Sequence, residues 1–134
     1  MRLPLRNSNQ AFHTLPNPTS MDSLPIINKS YELYKHFTEA YDHMTKKWRL
    51  TLGKSVEDGI LGLMEQLVMA KNAPKTLKTA YLLKASGTLE VLTLKIRLIL
   101  ELKLMNETRV FQLQAEVQEI GRMLGGWLKS SQNQ

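Results

Sequence analysis

Residues 82–100 read LLKASGTLEVLTLKIRLIL, and this stretch decides the fold. Leu82, Ala85, Leu89, Leu92, Ile96 and Ile99 recur at intervals of three and four, the period of a helix with one buried stripe. Leu83, Val91, Leu94, Leu98 and then Leu102 stand at another angle on the same helix. The richest part, Leu89 to Met105, is interrupted by Glu90, Lys95, Arg97, Glu101 and Lys103, so it is too charged to span a bilayer. A soluble helix that is apolar over most of its girth lies at the centre of a large core or presses on another subunit. A chain of 134 residues has one modest core. The spare face therefore predicts self-association through Leu83, Val91, Leu94, Leu98 and Leu102, with Trp127 assigned to the same contact.

Three further segments carry the same period. Val56, Ile60, Leu63, Leu67 and Ala70 form one stripe, and Val110, Leu113, Val117, Ile120, Leu124 and Trp127 another. In the first segment Ile27, Tyr34, Tyr41 and Trp48 fall every seventh residue, with Phe37 and Met44 between them. Four stripes in one short chain predict an all-α, antiparallel up-down four-helix bundle over residues 24–130, with short tails at 1–23 and 131–134. Ser55 with Asp58 resembles a capping box at the start of the second helix, although a start near Thr51 fits as well. Pro74 suits the first turn of the third helix, and Asn106 suits the cap of the fourth. The segment Arg2–Ser20, with Pro4, Pro16, Pro18 and no acid, reads as a disordered tail or as sequence upstream of initiation at Met21.

Charge is unevenly placed. The chain carries a net charge of +6 with a pI of about 9.7, which favours polyanionic partners. Residues 71–105 hold seven basic against two acidic side chains, and residues 28–50 hold five against three. Lys71, Lys75 and Lys78 are spaced by four and three, while Lys46, Lys47 and Arg49 surround Trp48. With Lys84 these form the candidate nucleic-acid surface, holding phosphates by neutralisation without reading bases. The plainer reading is a solvated basic face that keeps the protein in solution.

Catalytic chemistry finds no foothold. Cysteine is absent, which excludes disulfides, thiolate catalysis and Cys-based zinc sites, and fits a reducing cytoplasm. His36 and His43 are seven apart on one side of the first helix, too distant to grip one metal, and read as surface residues. Glu116 and Glu119 read as solvent-facing acids. P-loop and nucleophile-elbow motifs are missing. Gly121, Gly125 and Gly126 read as small residues for close helix approach, or as fraying near the C-terminus. The expectation is a non-enzyme with no cofactor, no metal and no membrane span.

Two stretches carry a family resemblance. Arg49-Leu50-Thr51-Leu52-Gly53, ahead of the second stripe, and Glu119-Ile120-Gly121-Arg122-Met123-Leu124-Gly125-Gly126-Trp127-Leu128 look like the hallmark stretches of a bacterial four-helix-bundle family. That family includes the accessory variability determinant (Avd) proteins of diversity-generating retroelements and relatives encoded in intervening sequences of ribosomal RNA genes. The resemblance covers roughly Ser30 to Lys129. It implies a homopentameric barrel with a basic outer surface that binds a reverse transcriptase and its structured RNA during error-prone cDNA synthesis. Carried onto this chain, that surface corresponds to positions such as Lys46, Lys47, Arg49, Lys71, Lys75 and Lys78. Arg122 lies within the matching stretch, where a guanidinium near a helix end could also bind free carbonyls.

Three functions follow as expectations. The first is an oligomeric accessory subunit that helps a reverse transcriptase engage template RNA. The second is a scaffold of the ribosomal-intervening-sequence type without a nucleic-acid role. The third is a small enzyme with a site between subunits, for which no stripe supplies convergent polar groups.

Overall fold

The computed structural model describes the backbone of residues 18–133 and the side chains of residues 25–133. Helix α1 spans Pro18–Tyr41. A short α2, Lys46–Trp48, runs without a break through a π-helical turn, Arg49–Gly53, into α3, Lys54–Asn72. Helices α4, Lys75–Glu101, and α5, Glu107–Gln132, complete the chain. Four long helices form a ring in which α1 and α4 each pack on both α3 and α5. Gly59 of α3 lies against Leu92 of α4, and Lys78 reaches back to Ala70, so those two run antiparallel. Gly121 beside Leu89 and Ser131 beside Thr79 show the same for α4 and α5. The architecture is the up-down bundle expected from the four stripes.

The core follows the spacing closely in three helices. Val56, Ile60, Leu63, Leu67 and Ala70 of α3 are fully buried. So are Leu82, Ala85, Leu92, Ile96 and Ile99 of α4, with Leu89 nearly so. Val110, Leu113, Val117, Ile120 and Leu124 of α5 close the interior, and Trp127 is half-buried against it. In the first segment Phe37 and Met44 are buried as expected, but the sevenfold series Ile27, Tyr34, Tyr41 is not the core stripe. Ile26, Leu33, Phe37 and Ala40 are buried, whereas Ile27, Tyr34 and Tyr41 sit half-buried on its flank. The reason is chemical: each tyrosine must keep its hydroxyl satisfied. Tyr34 donates to Glu57 at 3.3 Å and Tyr41 to the Arg49 carbonyl at 2.8 Å, contacts available only at a helix seam. Trp48 is not on α1 at all, because that helix ends at Tyr41.

Several boundaries differ from the sequence reading. The Ser55–Asp58 capping box does not exist, since helical geometry begins after Thr45 and carries Ser55 in mid-helix. Asp58 instead takes the Lys54 ammonium at 2.7 Å. Pro74 stands one place earlier than expected, as the extended N-cap of α4, where its carbonyl accepts from Leu77 and Lys78. Asn106 does cap α5, its side chain accepting from the Arg109 amide at 3.1 Å. Helix α1 is already formed at Pro18, six residues ahead of the expected boundary, and α5 continues to Gln132. The expectation of a tail over residues 1–17 lies outside the described residues.

The end of α4 shows why the chain turns sharply there. Lys103 adopts a left-handed conformation at φ 55°, the Leu104 amide donates to Ile99 and the Lys103 amide to Leu100. This pair of bonds closes the helix in a Schellman motif, with Leu104 folding back onto the core. Glycine is the usual residue there because a Cβ costs about 1–2 kcal/mol in that region. Lys103→Gly is therefore expected to raise stability by about 1 kcal/mol, read as a higher midpoint in urea with an unchanged slope.

Candidate nucleic-acid interface

The seven cations singled out in the sequence are not brought into one patch. Lys46, Lys47 and Arg49 lie where α1 turns into α2, at one end of the bundle. Lys71, Lys75 and Lys78 lie where α3 turns into α4, at the other. With 24 residues of nearly continuous helix between Lys47 and Lys71, the clusters stand roughly 35 Å apart at about 1.5 Å per residue. Lys84 sits between them, beside the groove that separates α3 from α4.

The first cluster is built on the hallmark stretch at Arg49–Gly53. Lys46 and Lys47 are exposed, and the Lys47 ammonium lies 5.0 Å from the centre of the Trp48 ring. The π-helical turn that follows is fastened to α1 by Tyr41, whose hydroxyl donates to the Arg49 carbonyl. Gly53 makes this possible. A Cβ there would stand 2.6 Å from a Tyr41 ring carbon and 3.1 Å from the Met44 sulfur. The glycine of the hallmark is thus the seat of a tyrosine ring, and the seated ring holds the basic turn in place.

The second cluster contains one residue with a different task. Lys78 is half-buried, and its ammonium donates to the carbonyls of Ala70 at 2.6 Å and Lys71 at 3.2 Å. These belong to the last turn of α3, where carbonyls lack partners within their own helix. Burial lowers the Lys78 pKa. Its charge serves the α3–α4 corner; of the other two, Lys75 is exposed and Lys71 is half-buried. Lys78→Met is expected to cost about 1–2 kcal/mol, since two carbonyls lose a charged donor. RNA affinity should change little beyond that, a pairing that thermal melts and a binding titration on the same sample would check.

Other residues flagged in the sequence have local partners. His36 Nδ1 lies 2.7 Å from Glu116 Oε1, tying α1 to α5, so Glu116 is not a free solvent-facing acid. Arg109 adds a second tie to Glu39 at 3.6 Å. His43 lies in the turn beyond α1, not on its face with His36. Arg122 pairs with Glu119 through both guanidinium and carboxylate edges and binds no helix-end carbonyl. That hydrogen bond holds the Glu119 carboxyl below the usual range and raises the Arg122 guanidinium. Sequence reasoning missed the His36–Glu116 tie because the partners are 80 positions apart.

The glycines of the C-terminal hallmark also read differently. A Cβ at Gly121 would meet Leu89 at 3.4 Å, ordinary contact, and Gly125 and Gly126 face open space. Neither close packing within the protomer nor fraying accounts for the last two, because α5 continues six residues beyond them. Among the described residues no group of three His, Asp or Glu could hold a metal ion, and no helix is long and apolar enough to cross a membrane.

Both hallmark stretches thus lie on one four-helix bundle, and the model of the bAvd-like family matches residues 24–131. The chain belongs to the bAvd-like family. The match begins inside α1 and ends one residue before the end of α5, so the bAvd-like assignment covers the whole bundle rather than one hairpin. This is an accessory, non-catalytic family. No curated protein and no solved structure matches the chain.

Proposed function

We propose that this chain is the accessory subunit of a diversity-generating retroelement, assembling as a homo-oligomer, in the simplest form a pentamer, that engages a reverse transcriptase and its structured template RNA. The observation that carries this reading is the bAvd-like match over residues 24–131. Two features of the molecule support it. The cations gather at the two ends of the bundle, with exposed Lys46 and Lys47 beside half-buried Arg49 at one and exposed Lys75 beside half-buried Lys71 at the other. Repeating such pairs around an oligomer would present two rings of positive charge to a phosphate backbone. Weak contacts on separate copies would then add through avidity, as linked sites do. Lys84, in mid-bundle, belongs to this surface only in the broad sense of being cationic.

The cytoplasm is the compartment in which template, enzyme and accessory protein would meet. The experiment is co-purification: the full chain, expressed with a retroelement reverse transcriptase and its template RNA, should be recovered in one complex that high salt separates from the RNA. Recovery of the oligomer with neither partner would replace this reading with the scaffold of the ribosomal-intervening-sequence type.

A further inference from the structure

The two tryptophans of the chain have different surroundings. Trp127 packs against the core of the bundle. Trp48 is half-buried at the bundle end, yet it is not among the side chains packed on that core. Its indole N–H has no hydrogen-bond partner among the described residues and is not sealed from solvent. The cations beside it are equally unoccupied. Of the four described arginines, Arg97, Arg109 and Arg122 each pair with a glutamate, and Arg49 alone has no carboxylate. Lys46 and Lys47 are exposed and also lack ion pairs. The Lys47 ammonium rests instead 5.0 Å from the centre of the Trp48 ring. Three cations thus stand around one aromatic ring with no carboxylate in ion-pair reach.

We infer that Trp48 is a stacking platform for an unpaired RNA base, with Lys46, Lys47 and Arg49 taking the phosphates on either side of that base. This rests on the RNA-binding reading above and names which part of the RNA this end of the bundle takes. In a duplex both faces of a base are covered by its neighbours, so a protein ring reaches only an unpaired one. Every base has a π face, and its flanking phosphates supply charge for cations one or two positions from the ring. A protein occupant fits less well. An acidic peptide would use the cations and leave the ring, while an apolar one would bury three charges without partners.

The local structure suits the task. The π-helical turn that begins at Arg49 is fastened to α1 through the Tyr41 hydroxyl, so the backbone beside Trp48 is held before any ligand arrives. A held platform has less freedom to lose on binding. Lys47 does not block the ring. A cation–π contact at an exposed site is weaker than base stacking, so the ammonium can move to a phosphate as the base takes its place. The opposite end of the bundle differs. The aromatic residue closest in sequence to Lys71, Lys75 and Lys78 is Tyr81, and its ring is packed on the core. That end offers charge without a platform.

Tryptophan emission reads the contact directly. In a Trp127→Phe background Trp48 is the sole tryptophan, and a short oligouridylate should quench it on binding while a blunt RNA duplex should not. In the parent background Trp48→Ala is expected to weaken oligouridylate binding by about tenfold, the order for one stacked base. Duplex affinity should stay the same, and so should the slope of log affinity against log salt, because stacking releases no counterions. Trp48→Phe should keep most of the affinity, and Trp48→Leu should behave like the alanine variant. Urea midpoints of all three variants separate loss of the ring from loss of the fold. Rescue by leucine as good as by phenylalanine would reduce Trp48 to a space-filling role and overturn the proposal. So would oligouridylate binding without quenching, or an equal loss of duplex affinity. A parent protein that binds neither RNA would sink the nucleic-acid reading too, whereas a parent that binds only the duplex would sink the platform and leave that reading standing.

Discussion

Phe37→Ala is expected to destabilise the fold by about 3–5 kcal/mol, the largest effect of any single truncation in this bundle. Phe37 is fully buried and ranks first by volume among the fully buried side chains. Removing its ring leaves a cavity whose walls are α-helical and relax only in part, so a cavity cost is added to the lost transfer free energy. A second consequence follows from the stacking of Phe37 on Tyr41, with ring centres 5.6 Å apart. Tyr41 is the ring that Gly53 accommodates and whose hydroxyl holds the Arg49 carbonyl. Loosening Tyr41 should therefore loosen the turn that carries Lys46, Lys47 and Arg49. Equilibrium unfolding in urea measures the first effect. Hydrogen exchange of amides in residues 49–53 measures the second, with faster exchange expected there than the global loss of stability explains. Protection of those amides that falls only in proportion to global stability would separate the turn from the core.

Neutralising four cations at the ends of the bundle, Lys46, Lys47, Arg49 and Lys75, to glutamine should flatten the salt dependence of RNA binding by about 3 units of slope. Each phosphate contact with a single strand contributes about 0.7 to the slope of log affinity against log salt. The same arithmetic makes those four contacts responsible for a loss of roughly fiftyfold in parent affinity between 50 and 200 mM salt. Three of these side chains are exposed and Arg49 is half-buried, and none belongs to the core, so the variant should keep its fold and mass. A mobility titration at several ionic strengths checks the outcome for parent and variant side by side. An unchanged slope would mean that phosphates are held somewhere other than the two ends. Splitting the variant by end is informative too, because clusters roughly 35 Å apart should contribute additively on a short RNA.

The interior of α3, α4 and α5 was legible residue by residue. Leu82 through Ile99 recur at three and four in the sequence and are buried in the bundle, because one stripe per helix is all that four such helices can turn inward. In the first helix only part of the reading holds: Phe37 and Met44 are buried as expected, and the sevenfold series is not. Ile27, Tyr34 and Tyr41 make an attractive sevenfold series, yet the stripe beside them, Ile26, Leu33, Phe37 and Ala40, is the one buried. Period alone cannot choose between adjacent stripes that are both apolar. The choice is made by the tyrosine hydroxyls, which need Glu57 and the Arg49 carbonyl and find them only at the seam. The missing capping box at Ser55 has a similar origin. A helix can pass through a π turn when a tertiary contact fastens the turn, and Tyr41 lies eight residues away from the carbonyl it holds.

The candidate site divides along the same line. Composition and spacing identified the basic segments, since charge and neighbouring positions on a helix are local properties. Whether two segments meet is not local. The up-down connection of α2 through α4 sends Lys47 and Lys71 to opposite ends, and the free carbonyls of α3 draw Lys78 inward. The amino-acid sequence by itself determined that the chain forms four amphipathic helices with one spare apolar face, because period, breakers and charge act through nearest neighbours on a helix. Only the tertiary structure decided which cations face outward and which stripe of α1 is buried. Those depend on how distant segments are aligned, and that alignment is set by packing and by the need of each buried polar group for a partner.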